Sequence, residues 1–112
     1  QDDFPIIEAR KLLGDKIIGL STHCDKQADG AEDLPVDYIG VGPIYKTPTK
    51  AGREPVGLDY LRYVAKNCSI PFVAIGGVCL DTVDDVLATG ASTIAVVRAY
   101  DEILQLKRKL CQ

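Results

Sequence analysis

Methionine is missing from the sequence altogether, even at position 1. A gene product normally opens with methionine, so the chain reads as a cut or processed piece of something longer. No apolar run approaches the roughly 18 residues that cross a bilayer, and no charged-then-apolar leader precedes the Gln1-Asp2-Asp3 opening, which argues against a membrane span and a secretory signal. Cys-x-x-Cys pairs are absent as well. The four cysteines, Cys24, Cys68, Cys79 and Cys111, match no zinc-ligand spacing and read as reduced thiols of a cytoplasmic protein, with an organelle as the alternative. An excess of positive charge is also lacking. The net charge is −3, which gives no support to a nucleic-acid partner. A local anion site remains open, because main-chain N–H groups and one or two lysines suffice to build one. What is present is ordinary for a globular domain: 112 residues, 46% of them hydrophobic and 26% charged, a one-domain length.

Four segments read as strands: Lys16–Thr22, Asp37–Tyr45, Pro71–Gly77 and Ser92–Ala99. Each is short, rich in Ile and Val, and nearly continuous in apolar residues, the pattern of strands in parallel sheets. Helical patterns alternate with them. Phe4–Leu13 carries Pro5 near its first turn and Gly14 as a stop. Leu58–Lys66 repeats Leu58, Leu61, Val64 and Ala65. Thr82–Ala88 follows Asp81 as a candidate N-cap, with Asp84 and Asp85 where the helix dipole favours acids. Asp101–Leu110 ends in Lys107, Arg108 and Lys109, and Cys24–Leu34 is a weaker pattern interrupted by Gly30. The order αβ(α)βαβαβα fits right-handed crossovers. Two architectures satisfy it: a small open parallel sheet, or about four β/α units of a (β/α)8 TIM barrel, which normally needs about 250 residues.

The residues suited to chemistry fall at the C-terminal ends of these strands: Ser21-Thr22-His23, then Gly40 through Lys50, then Gly76-Gly77, then Val97-Arg98. Ligands bind at that edge in parallel α/β folds. Gly76-Gly77 lets backbone approach a ligand with no Cβ in the way, and the amides after the last strand can complete a phosphate cradle. Thr47 and Thr49 offer hydroxyl donors, and Lys50 a mobile positive charge. Asp3 offers a hard carboxylate oxygen suited to Mg²⁺ on a diphosphate. Each feature has a plainer reading. Gly-Gly after a strand is commonly a tight turn, an Asp before a helix an N-cap, a Thr-x-Thr-Lys loop solvated sequence, and a lone histidine such as His23 a structural or supporting group.

Taken together, Gln1-Asp2-Asp3, Ile17-Ile18-Gly19-Leu20-Ser21-Thr22-His23, Asp37 through Lys50, Ala74-Ile75-Gly76-Gly77-Val78 and Ala95-Val96-Val97-Arg98-Ala99 resemble the thiamine phosphate synthase family over essentially all 112 residues. The block Tyr38-Ile-Gly-Val-Gly-Pro-Ile-Tyr45, followed by Thr47-Pro48-Thr49-Lys50, is its most specific part. The resemblance implies that residues 1–112 form the C-terminal half of a single (β/α)8-barrel domain. It also implies a transferase of thiamine biosynthesis, which joins hydroxymethylpyrimidine diphosphate to thiazole phosphate and releases pyrophosphate, with Mg²⁺ as cofactor and small phosphorylated molecules as partners. Carried over residue by residue, Asp3 is implied as a metal ligand. Ser21 and Lys50 are implied as the diphosphate-holding catalytic groups. Thr47, Pro48 and Thr49 are implied as contacts to the thiazole phosphate, with the amides of Gly77, Val97 and Arg98 completing its cradle.

Two departures from the family pattern stand out. Arg98 occupies a position where the family often has a small hydroxyl residue, and the family's first half, with further diphosphate-binding side chains and another metal-binding acid, lies outside the sequence. The expectation is therefore at most trace synthase activity from residues 1–112 alone, the remaining half-barrel being supplied in the same chain or by a self-associated partner. Three alternatives stand beside the synthase. One is a thiazole tautomerase, which also carries a histidine at the position of His23 but does not need Mg²⁺. Another is a non-catalytic half-barrel that self-associates through its open edges. The last is a generic phosphate-binding barrel enzyme.

Overall fold

The computed structural model describes residues 3–46, 54–96 and 99–111, the side chains of residues 3–5 and 100 excepted. Apolar runs become strands and the amphipathic stretches between them become helices. The order is α1 (Asp3–Leu13), β1 (Gly19–Thr22), α2 (Asp25–Ala31), β2 (Tyr38–Val41), α3 (Gly57–Asn67), β3 (Phe72–Ile75), α4 (Val83–Ala88) and β4 (Ile94–Ala95). A 3-10 turn, Tyr100–Glu102, then leads into α5 (Ile103–Leu110). The strands form one parallel sheet in the order β1-β2-β3-β4. Its register sets Ser21 beside Gly40, Gly40 beside Val73, and Ile75 beside Ala95.

Alternation along the strands divides the sheet into two unlike faces. Leu20, Thr22, Ile39, Val41 and Ala74 are buried, and they join Ala28 and Ala31 of α2, Leu61 and Val64 of α3, and Val83 and Val86 of α4 in one core. Leu61 is fully buried, so Leu61→Ala would cost about 2–5 kcal/mol. On the other face Gly19, Ser21 and Tyr38 of β1 and β2, and Ile75 of β3, are exposed. Among the described residues no helix is long and apolar enough to cross a membrane.

The observed elements follow the sequence pattern, with instructive differences at their ends. Gly14, at φ +58°, terminates α1 and returns its amide to Arg10 O at 3.0 Å. The strands are shorter than their apolar runs; β2 stops at Val41, before Gly42-Pro43, where proline has no amide to extend a ladder. Gly30 does not break α2, because it lies one residue from the helix end, where its entropic cost is least felt. Asp81 is not the N-cap of α4. Thr82 holds that place, and its hydroxyl bonds outside the helix, donating to Gly77 O at 2.9 Å and accepting from the Cys79 amide at 3.0 Å. The last helix opens as a 3-10 turn rather than at Asp101 as an α-helix.

The N-terminal edge of the sheet is closed by one side chain. Arg10 of α1 donates to Pro35 O through Nε at 3.1 Å and Nη2 at 2.9 Å, and to Gly14 O at 2.7 Å and Lys16 O at 3.0 Å through Nη1. It also pairs with Asp37 Oδ2 at 3.0 Å. Asp37 in turn accepts the Ile18 amide at 2.7 Å. That amide bond, and then the Arg10 guanidinium, hold the Asp37 carboxyl below its ordinary pKa.

Candidate active site

At the opposite edge the backbones of β1, β2 and β3 run into turns that lock into one another. β2 continues through the cis Gly42–Pro43 bond into Ile44 and Tyr45. The Ile44 amide donates to Ile75 O and the Tyr45 amide to Gly76 O, each at 3.0 Å. This close approach explains three glycines. A Cβ on Gly42 would overlap the Ile75 carbonyl oxygen, one on Gly76 would lie 2.6 Å from Pro43 Cα, and one on Gly77 would lie 2.6 Å from Tyr45 Cβ. Gly76 and Gly77 also have φ values of +102° and +74°, which other residues rarely adopt. The Gly-Gly pair is therefore required by turn geometry and by contact with the β2 turn.

The chain returns to this edge before α3. The Val56 amide donates to Pro43 O at 2.7 Å and the Gly57 amide to Ile44 O at 3.1 Å.

Beneath the turns, a buried hydrogen-bonded chain ties strand to helix. Tyr60 OH of α3 donates to Thr22 Oγ1 at 2.5 Å, and Thr22 Oγ1 donates to Gly40 O at 2.8 Å. Burial pushes the Tyr60 phenol up to about 12, against the opposing effect of its bond to Thr22, so it remains a donor through the neutral range. His23, the next residue, has its amide on Gln27 Oε1 at 2.7 Å and its Nδ1 at 2.6 Å from Gly42 O. Tyr45 is shifted upward too, first by burial and then by its proximity to Asp85 and Cys79.

The structure thus places Ser21 on the exposed sheet face beside Gly40, where a Cβ on the glycine would lie 3.9 Å from Ser21 Oγ. Gly77 stands two strands away, in the turn after β3. Thr47, Pro48, Thr49, Lys50, Val97 and Arg98 lie outside the described residues, as does the side chain of Asp3, whose backbone opens α1. Among the described residues no three of His, Cys, Asp and Glu cluster to hold a metal. Sequence reasoning missed Tyr60 and did not foresee the contact between His23 and Gly42. The signal for Tyr60 was its place beside Leu61 and Val64 on the apolar stripe of α3, where a buried phenol needs a partner.

The profile of thiamine monophosphate synthase matches residues 1–100. The chain belongs to the thiamine monophosphate synthase family. The thiamine-phosphate synthase of Pelotomaculum thermopropionicum is 56% identical over 112 residues, covering 98% of this chain and 51% of that protein. The thiamine-phosphate synthase of Nostoc punctiforme is 51% identical over 100 residues, covering 88% of this chain and 28% of that protein. The solved thiamine phosphate pyrophosphorylase of Pyrococcus furiosus superposes with a TM-score of 0.79 at 29% identity, over 96% of this chain and 56% of that one. The chain therefore spans about half the length, or less, of these relatives.

Proposed function

We propose that residues 1–112 are the C-terminal half of a (β/α)8 barrel that condenses hydroxymethylpyrimidine diphosphate with thiazole phosphate, giving thiamine phosphate and pyrophosphate in the cytoplasm. The observation that carries this reading is the family match over residues 1–100, joined to a four-stranded parallel sheet of which one face is exposed. A closed barrel would turn that face inward. Under this reading the other half-barrel comes from the same chain or from an associated partner.

In this assignment the work falls on binding and charge stabilisation rather than on a nucleophile–base pair. Ser21 and Lys50 hold the departing diphosphate, with Lys50 countering the charge that develops as the C–O bond breaks. Thr47, Pro48 and Thr49, with the amides of Gly77, Val97 and Arg98, grip the thiazole phosphate and aim the ring nitrogen at the pyrimidine methylene. Mg²⁺ suits the donor set, since one hard carboxylate, Asp3, is enough where substrate phosphates supply the remaining oxygens; when bound it would neutralise the leaving diphosphate. The interlocked glycine turns support this reading because they bring main chain, with few side chains, to the edge where the phosphates would lie.

The test is an assay of thiamine phosphate formation by the full-length barrel, with and without Mg²⁺, beside Lys50→Ala. Mg²⁺-dependent product that falls by about two orders of magnitude in the variant is the expected result, the scale of losing one charge-stabilising donor. A folded full-length protein that forms no product would overturn it.

A further inference from the structure

We infer that His23 is a positioning residue, which in its Nδ1–H form supplies the last rung between β1 and β2 and so fixes the turn that starts at Gly42. The inference rests on the synthase reading only for its consequence in catalysis; the bond itself stands on geometry. The backbone ladder weakens at this point. Thr22 pairs with Val41, and the next ladder bond, Gly42 amide to Thr22 O, is stretched to 3.4 Å. Beyond it β1 turns into α2, and the His23 amide is spent on Gln27 Oε1 at 2.7 Å. The Gly42 carbonyl is met by the His23 ring, with Nδ1 at 2.6 Å.

A carbonyl oxygen only accepts, so Nδ1 must carry the proton, which selects the Nδ1–H tautomer wherever the ring is neutral. The same Gly42 is confined on its other side, where a Cβ would overlap Ile75 O. Ile44 and Tyr45 then dock on Ile75 O and Gly76 O at 3.0 Å. His23 thus anchors the first residue of a turn whose following residues pack against the Gly76-Gly77 backbone. Loss of this anchor lets Gly42 shift on its stretched rung and displaces Ile44 and Tyr45 with it.

Two experiments test this, and they fail independently of each other. The chain has one histidine, so a long-range ¹H–¹⁵N correlation spectrum of the 112-residue chain in alkaline buffer reports the tautomer without assignment. The Nδ1–H pattern is expected; the Nε2–H pattern would overturn the inference, whether or not the protein is a synthase. The second compares His23→Asn, His23→Gln and His23→Ala in the full-length barrel. An Asn amide can donate from nearly the position of Nδ1, and neither Gln nor Ala can. His23→Gln and His23→Ala should raise the KM for thiazole phosphate about tenfold with a smaller change in kcat, the scale of one lost hydrogen bond. His23→Asn should recover most of that loss. If His23→Asn instead lowers kcat as far as His23→Ala does, the histidine transfers a proton and the positioning role is wrong. A full-length protein inactive with every side chain intact would remove the synthase reading and leave the tautomer result to decide the bond.

Discussion

The two ends of the sheet are built by opposite means. At the N-terminal end one guanidinium, five hydrogen bonds and one carboxylate tie α1, β1 and the segment before β2 together. At the C-terminal end the strands are joined by backbone packed on backbone, made feasible by Gly42, Gly76 and Gly77, with a neutral buried chain from Tyr60 to Gly40 beneath. A guanidinium saturated by fixed carbonyls has nothing left for a ligand, and such an end serves stability. The close-packed main chain of the other end leaves Gly77 exposed at its rim, and in parallel α/β folds that is the end where function is carried. The difference lies in what each edge does with its polar groups.

Gly76→Ala attacks the C-terminal edge and should have the largest effect. The new Cβ would meet Pro43 Cα at a φ of +102°, so a stability loss of about 3 kcal/mol in urea unfolding is expected, together with loss of the proposed synthase turnover in the full-length protein. Arg10→Ala attacks the other edge. It should cost about 1–2 kcal/mol while leaving turnover per folded molecule of the full-length protein within about twofold of the parent, if that edge serves stability alone.

The acid limb of stability sharpens the same contrast. Asp37 has its pKa lowered by the Ile18 amide and by Arg10. Its contribution is therefore complete above its ordinary value of 3.8 and is lost as the pH falls through the lower, folded-state value. Acid titrations of the wild type and of Asp37→Asn should differ in neutral solution and converge at the acid extreme. The smallest effect belongs to Asp59→Ala, which removes a fully exposed partner of Arg62. Its Tm should stay within about 2 °C of the parent, as for surface pairs generally.

Most of the fold was legible from local pattern. The apolar runs located all four strands, and the 3.6-residue stripe located α3 through Leu61 and Val64, because burial on one face imprints a short-range period. Element ends were less legible. Asp81 looked like a cap, yet Thr82 took that place because its hydroxyl finds Gly77 O, a partner five residues back in the preceding turn. The least legible features were contacts between residues far apart in sequence: Arg10 with Asp37, 27 positions on, and Tyr60 with Thr22, 38 positions back. No periodicity records such pairs. Gly76 and Gly77 were recognised as special and Gly42 was not; Gly42 and Gly76 are required at least as much by each other's strands as by any ligand, and only packing reveals that.

Whether the glycine-built edge binds phosphate and the arginine-built edge does not is decided by amide shift mapping. The ¹⁵N-labelled full-length barrel would be titrated with thiazole phosphate. Saturable shifts are expected at Gly42, Gly76, Gly77 and Val78, with the amides of Gly14, Ile18 and Asp37 unmoved. Saturable shifts confined to the Ile18–Asp37 end, or none at either end, would mean that phosphate does not bind at the glycine-built edge.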